Sequence, residues 1–368
     1  MRNDRQRRRQ KKARREAVRA KARTGESQSD PSLTEIIRRA LAKRHPGYLL
    51  NLASMMINLA DAQDLDAFLA GLIQAGNRET AALLAVMVEL LVDDTSQRLR
   101  CRQVVAERDD CLPKWIAALA GADAHRAVRR SRELGDIDEV LVGVRIDRKH
   151  ELTVAVAIDH IEFSGIADVA VWAAPIDRVL NQLASNSDTQ VADMSLADAR
   201  VWIADALTQP RLSADTEGSP LYRPLVRWLV ERLPVGGKDR LPVVQWREMT
   251  EICDAFFATD AAAPFTELGH RQLLQDLFET GSGDPLRWSV ARVEQALHNP
   301  YCDDGYIPLE VALDMPDVLR AFIPYAHAQS EIRDELTSQA VGAIDRLRSR
   351  YKREALKQAM YDGLEDAV

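Results

Sequence analysis

The sequence predicts a mainly α fold of the α+β kind. A helical bundle or short solenoid leads into a small antiparallel β-meander, further helices follow, and a disordered basic N-terminal arm precedes them all. Three observations predict it. Apolar residues recur three and four apart over most of the chain, the spacing of amphipathic helices. One stretch, 138–173, alternates instead and is rich in valine and isoleucine, which is the pattern of strands. Residues 1–24 hold twelve Lys+Arg against only Asp4 and Glu16, a density of like charge that opposes a packed core.

The chain of 368 residues carries a formal net charge of −7, but the charge is uneven. The first 24 residues sum to +10 and the remainder to −17. Hydrophobic residues make up 46%, enough for a sizeable core, so a largely disordered chain is excluded. No apolar run approaches the ~18 residues that a membrane span needs. The arm lacks the apolar centre of a secretion signal, since only Met1 and Val18 are apolar beyond alanine, and it has no bulky apolar face for a mitochondrial presequence. A cytoplasmic protein is the expectation. The four cysteines, Cys101, Cys111, Cys253 and Cys302, form no C-x-x-C, so neither a zinc knuckle nor a redox pair is indicated. Arg outnumbers Lys 40 to 9 and alanine is abundant, which suggests GC-rich coding and a bacterial source.

The composition shifts divide the chain into an arm and linker (1–31), a helical region (32–134), a β-meander with packed helices (135–235) and a helical C-terminal region (236–368). Ser32-Leu33-Thr34-Glu35 reads as a capping box. Apolar stripes follow on Leu33–Leu41, Tyr48–Leu59, Leu65–Leu72 and Leu83–Leu91, broken at His45-Pro46-Gly47, Ala75-Gly76-Asn77 and Asp93-Asp94. In the meander, Val140, Val142, Val144 and Ile146 alternate, as do Leu152, Val154, Val156 and Ile158, and briefly Val169 and Val171. A three-residue loop of Arg148, Lys149 and His150 would pair Val144 with Val154 and Val142 with Val156, keeping the apolar faces together. His150 would then take the left-handed position. The opposite face is small (Gly143, Thr153, Ala155, Ala157), so a helix is expected to pack there. Later helices are expected near 176–183, 196–207, 221–233 (with Ser219-Pro220 as its start), 246–258, 265–279 and 286–298, the last starting at Asp284-Pro285. Pro234–Arg240 is the best boundary between them. Ile332, Leu336, Ala340, Ile344, Leu347 and Tyr351 make one stripe on a long final helix, a docking or self-association face for which packing on the chain's own body is favoured over dimerisation.

Two functional readings follow. In the first, the arm contacts RNA or DNA non-specifically through Arg5, Arg7, Arg8, Arg9, Lys11, Lys12, Arg14, Arg15 and Arg19, because each cation that neutralises a phosphate releases counterions. No aromatic residue is interleaved, so base stacking is not implied. The acidic body, or the 330–361 helix, would bind a protein partner or a second copy. Folding of the arm onto its own acidic body, or onto anionic lipid, competes with this reading. Arg126, Arg129, Arg130 and Arg132, read as lying near a helix end, could extend the phosphate-binding patch together with Arg145, Arg148 and Lys149.

In the alternative reading, the chain is an enzyme or small-ligand-binding protein with a site near the meander, at His160 and Glu162. These share a strand face and could form part of a metal site, although no third ligand can be placed, and a strand end reaching solvent is the plain interpretation. Asp303-Asp304-Gly305-Tyr306 lacks the later ligands of a calcium loop. Gly236-Gly237-Lys238 fails as a phosphate loop, with Arg232 where a glycine is needed and Asp239 where Ser or Thr is needed. No G-x-S-x-G, H-E-x-x-H or G-x-G-x-x-G occurs. The sequence therefore leans away from an enzyme and calls for no metal or cofactor. A site assembled only in three dimensions stays open. A deep pocket with convergent polar groups near His160 would favour the alternative, and a flat meander covered by helices would favour the first reading.

Overall fold

The four apolar stripes fold as α1 (Leu33–Ala42), α2 (Pro46–Leu59), α3 (Ala62–Ala75) and α4 (Arg78–Leu90), and two helices without such a stripe follow, α5 (Thr95–Glu107) and the short α6 (Lys114–Ala118). The computed structural model describes residues 32–365 apart from 61, 109–110, 162–163, 185–188, 210–221, 241–245 and 299–306. Polar caps set the helix starts. The Ser32 hydroxyl accepts the Glu35 amide at 3.3 Å, and Asn77 caps α4 through the Thr80 amide at 2.9 Å. The expected reach-back of Glu35 is replaced by an ion pair to Arg39 at 2.5 Å. α4 is the hub of this layer, buried at every position from Thr80 to Leu90.

A five-stranded antiparallel sheet follows, β1 (Asp123–Arg132), β2 (Ile137–Arg145), β3 (Glu151–Asp159), β4 (Gly165–Trp172) and β5 (Thr189–Met194), in the order β4-β3-β2-β1-β5. Two of these strands depart from expectation. The segment 123–132, read as the end of the helical region, is the strand β1. Its arginines lie on a strand between β2 and β5, not at a helix end. A register shift between Ala124 and Arg126 breaks the alternation that marks a strand. The charges are also matched within the chain: Arg126 pairs with Asp193 at 2.9 Å and with Asp177, Arg130 pairs with Glu139, and Arg145 pairs with Glu151 at 2.9 Å. Of the seven cations read as extending the phosphate patch, Arg126, Arg130 and Arg145 thus have carboxylate partners within the chain, and it is the helix-end placement of the group that is corrected. β5 was not expected, because its residues, TQVADM, are mostly exposed and carry little pattern.

The β2–β3 register differs by two residues from the expected one. Val142 pairs with Val154, Val144 with Leu152 and Arg145 with Glu151. A shift of two leaves each side chain on its face, so the predicted apolar face survives. The connection is longer because Asp147 organises it. Its carboxylate accepts the Lys149 amide at 2.7 Å and the His150 amide at 2.9 Å. That Asx-type turn removes the need for a left-handed residue, and His150 is not among the residues with positive φ.

The valine face (Val140, Val142, Val144, Val154, Val156) shares one buried core with the N-terminal helices and with α8 (Leu196–Thr208) and α9 (Arg223–Val230). The small face takes α7 (Ile176–Leu183), as expected: Ile176 and Val179 pack on Val128, Leu141 and Ala155. A side chain at Gly143 would meet His125 and Ile176 at 3.1 Å. The Ser219-Pro220 start lies outside the described residues, and the visible part of α9 carries Pro224 in its first turn.

The C-terminal array has its own core, built by α10 (Trp246–Phe257), α11 (Leu268–Phe278), α12 (Val290–Ala296), α13 (Leu309–Gln329) and α14 (Asp334–Glu365). Asp284-Pro285 does not start α12. It sits in a turn where Asp284 accepts the Leu286 amide at 2.9 Å, and Ser289 caps the helix instead. α13 is the helix that sequence reading missed, because Pro316 and Pro324 lie inside it. A proline strands the carbonyl four residues earlier. For Pro316 that is Ala312, and the buried Tyr351 hydroxyl donates to this carbonyl at 3.1 Å. The stripe on the last helix is thus spent within the chain. Ala340, Ile344 and Tyr351 are buried against the C-terminal core, while Leu356 and Met360 remain exposed. No helix among the described residues is long and apolar enough to cross a membrane.

Candidate functional site

Three strand ends and one strap converge at one edge of the sheet. Asp138 opens β2, opposite Ser131 of β1. His160 follows the last residue of β3, and its amide donates to the Asp136 carbonyl at 2.8 Å. Ser164 immediately precedes β4 with a φ of +57°. Backbone in this region is uncommon for a residue with a Cβ and is concentrated at functional sites. A register shift in the β3–β4 pairing between Ala157 and Ile158 lies beside them.

The strap is the 234–240 segment after α9. Lys238 donates its amide to Asp198 Oδ1 at 2.7 Å, laying the strap across the start of α8. A Cβ at Gly237 would lie 2.0 Å from the Ala197 carbonyl oxygen, so only glycine fits. The Gly-Gly-Lys run that fails as a phosphate loop serves here to bring Arg240 to His160.

The geometry at His160 is a relay. Nε2 lies 3.0 Å from Asp138 Oδ2, and Nδ1 lies 3.0 Å from both Ser164 Oγ and Arg240 Nη1. Arginine can only donate, so Nδ1 is the unprotonated nitrogen and Nε2–H donates to Asp138. Burial alone would raise the Asp138 carboxyl, but hydrogen bonds from His160 and Ser131 outweigh it and hold the group below the usual carboxylate range. Burial depresses His160 below its ordinary value. The bond to Asp138 opposes that shift, and the neighbouring Arg240 charge reinforces it. At neutral pH the arrangement is therefore carboxylate, neutral imidazole and hydroxyl, with the base already hydrogen-bonded to the hydroxyl. That is the protonation state a serine nucleophile needs.

The relay opens on a cleft of ≈300 Å³ whose walls include His160, Ser164, Trp202, Asp205, Asp239 and Arg240. The size fits a small molecule. Met249 of α10 and the Ser282–Gly283 turn close the far side, so both cores contribute. A second cavity of ≈580 Å³ lies where the β1–β2 turn meets α12 and α14. It holds Asp136, whose carboxyl is pushed up to about 6, chiefly by burial. Its rim is crossed by the Arg333–Glu133 ion pair at 2.8 Å. It pairs the Ser289 hydroxyl with the Asp136 carboxyl but has no histidine in its lining, so the smaller cleft, with its hydroxyl–imidazole–carboxylate chain, is the candidate site.

The structure treats the sequence candidates unequally. His160 is in the site but is only 2% exposed, which corrects the expectation of a strand end reaching solvent. Both its ring nitrogens are committed, so it offers no lone pair to a metal, and no cluster of three metal-ligating residues exists among the described residues. Glu162 and the arm residues Arg5 to Arg19 lie outside the described residues, as does Asp303-Asp304-Gly305-Tyr306. Sequence reasoning missed Asp138, Ser164 and Arg240. The sequence spacing of 22, 4 and 80 residues from His160 follows no known local motif. Only the β2–β3 register, which brings Asp138 opposite Ile158, carries a hint of it. No family model, no curated protein and no solved structure matches the chain.

Proposed function

We propose that this protein is an enzyme of the serine-nucleophile class that hydrolyses a small acyl compound held in the His160 cleft. One observation carries the reading: the Ser164–His160–Asp138 relay, with both links at 3.0 Å, faces a cleft of ligand size. Ser164 Oγ attacks the acyl carbon while its proton passes to His160 Nδ1. Asp138 balances the imidazolium that results. The proton then goes to the leaving oxygen or sulfur as the acyl–leaving-group bond breaks. Water, deprotonated by the same His160, releases the acid and restores the serine. The test is a panel of small aryl esters and thioesters with full-length protein. Turnover that Ser164→Ala removes while its melting temperature is unchanged supports the reading. Turnover that survives in Ser164→Ala, or none across the panel, contradicts it.

A second reading rests on the charge of the arm. Its +10 over 24 residues supports non-specific contact with RNA or DNA, in a cytoplasmic protein whose catalytic body it would tether. With about six phosphates engaged, log K for duplex should fall with log salt at a slope near −5. Full-length protein should show this slope and a 1–24 deletion should lose both binding and slope. Equal binding by the two would sink it.

A further inference from the structure

We infer that Arg240 is the anion-recognition residue of the cleft and that the enzyme's substrate is a small acyl compound bearing a carboxylate or phosphate, whose anionic group frees the His160 base by drawing Arg240 away from it. This rests on the serine-hydrolase reading above and adds the substrate class to it.

The argument begins with a conflict at one atom. An unprotonated imidazole nitrogen has a single in-plane lone pair. Ser164 Oγ and Arg240 Nη1 both lie 3.0 Å from His160 Nδ1. Two donors sharing one acceptor each bind less well than one alone. In the empty cleft the base is therefore partly occupied by a cation, and that cation also disfavours protonation of the ring, which catalysis requires. Something must take Arg240 away for Ser164 to hold Nδ1 alone.

Arg240 has the capacity to be taken. Its guanidinium carries five N–H donors, and the bond to His160 is the one hydrogen bond it makes among the described residues. The only carboxylate within 4.0 Å there is Asp138, at 3.9 Å from Nε. Asp138 already accepts from His160 and Ser131. Arg240 thus lacks a carboxylate of its own, although its side chain is only 28% exposed. A half-buried guanidinium without a dedicated counter-ion favours an anion, and its planar fork suits the paired oxygens of a carboxylate or phosphate.

The rest of the cleft narrows the choice. Arg129 stands 5.6 Å over the Trp202 ring that lines the cleft, and its charge adds to that of Arg240, against which Asp138 and the more distant Asp284 act. Asp205 and Asp239 also line the cleft. Two carboxylates in the lining oppose an extended polyanion, so a nucleic-acid strand does not fit there. A compact ligand that places one anionic group on Arg240 does.

Two readouts test this on full-length protein. In the first, the pH titration of the His160 ring is followed by two-dimensional ¹H–¹⁵N NMR, its signal assigned by its loss in His160→Gln. Inorganic phosphate is the probe. Saturable phosphate binding should raise the His160 midpoint in the wild type and equally in Ser164→Ala. Arg240→Met should start from a higher midpoint and not respond. Arg240→Lys should respond weakly, which separates loss of the charge from loss of the fold. No phosphate response in the wild type, or the same response in Arg240→Met, overturns the inference. In the second readout, 4-nitrophenyl esters of succinate and butyrate are compared. Arg240→Met should raise KM for the succinate ester about tenfold or more and abolish the wild-type preference for succinate over butyrate. Hydrolysis of both esters without preference overturns the inference while the serine reading stands. A phosphate response without hydrolysis of either ester does the reverse.

Discussion

Arg292→Met should lower the unfolding free energy by about 3 kcal/mol, the cost of losing charge-assisted hydrogen bonds to buried carbonyls. Arg292 is fully buried. One of its nitrogens donates to the carbonyls of Arg287, at 2.8 Å, and of Asp284, and the other to those of Leu277 and Phe278, both at 3.2 Å. Its guanidinium lies 4.0 Å over the Trp288 ring. Burial pushes its pKa down to about 10, so it stays charged at neutral pH. Methionine can fill the volume but removes the Arg292 donors from four carbonyls, of which those of Leu277 and Asp284 keep bonds from Thr280 and the Arg287 amide. Arg292→Lys should not rescue the loss, because an ammonium has three donors on a point charge and cannot span four carbonyls in a plane. Urea denaturation checks this through a fall in the midpoint. The effect should reach the cleft as well, since Arg292 holds the 277–288 turn that carries Ser282 and Gly283 into its wall. A midpoint within experimental error of wild type would show that the turn is held by other means.

Asp138→Asn should lower turnover on the order of 10³-fold or more with little change in stability. The amide is nearly isosteric, its oxygen can still accept from His160 Nε2, and the amide nitrogen can donate to Ser131. What is lost is the charge. When His160 takes the serine proton, Asp138 is the carboxylate that offsets it, 3.0 Å away, and Arg240 stands on the opposite side as a like charge. The pH profile carries the same signature. The base must be neutral to act, and burial sets the His160 pKa below 6.5. Wild-type activity should therefore hold at neutral pH and fall only as the pH drops through that depressed value. Linkage runs the same way: His160 contributes stability that is present above its unfolded pKa and lost as pH falls through the folded one. An unchanged rate in Asp138→Asn would remove His160 from the role of base.

Much of the fold was legible because the period of a buried face is a strong signal. Val140, Val142 and Val144 alternate with Leu152, Val154 and Val156, and the structure pairs these two faces. The helices from α1 to α4 were legible in the same way. Other parts were hidden for physical reasons. β1 carries arginines whose partners, Asp193 and Glu139, come from other strands, so its residues look solvated when read in order. α13 contains two prolines, and the group that makes one of them tolerable, the Tyr351 hydroxyl, lies 39 residues beyond the Ala312 carbonyl it serves. Asp147 was overlooked in the hairpin because a turn held by a side chain has no periodicity.

The site was half legible. His160 stood out through its acidic neighbours, yet its hydrogen-bond partners among the described residues are Asp138, Ser164 and Arg240 and not Asp159. Asp159 instead accepts the Ile161 amide at 2.8 Å. Asp138 is brought in by the sheet register, Ser164 by a tight turn and Arg240 by a strap that needs Gly237. These are long-range facts that no local spacing encodes.

The central claim is that Ser164 is a nucleophile activated by His160. A fluorophosphonate probe tests it most directly, because it requires no knowledge of the substrate. The serine oxygen forms a bond to phosphorus, fluoride leaves, and the proton passes to His160. Incubation of full-length protein followed by intact-mass and peptide analysis should show one adduct, on Ser164, absent in Ser164→Ala and slowed in Asp138→Asn. Absence of any adduct on Ser164 in folded wild-type protein, or an adduct on a different serine, would contradict the account.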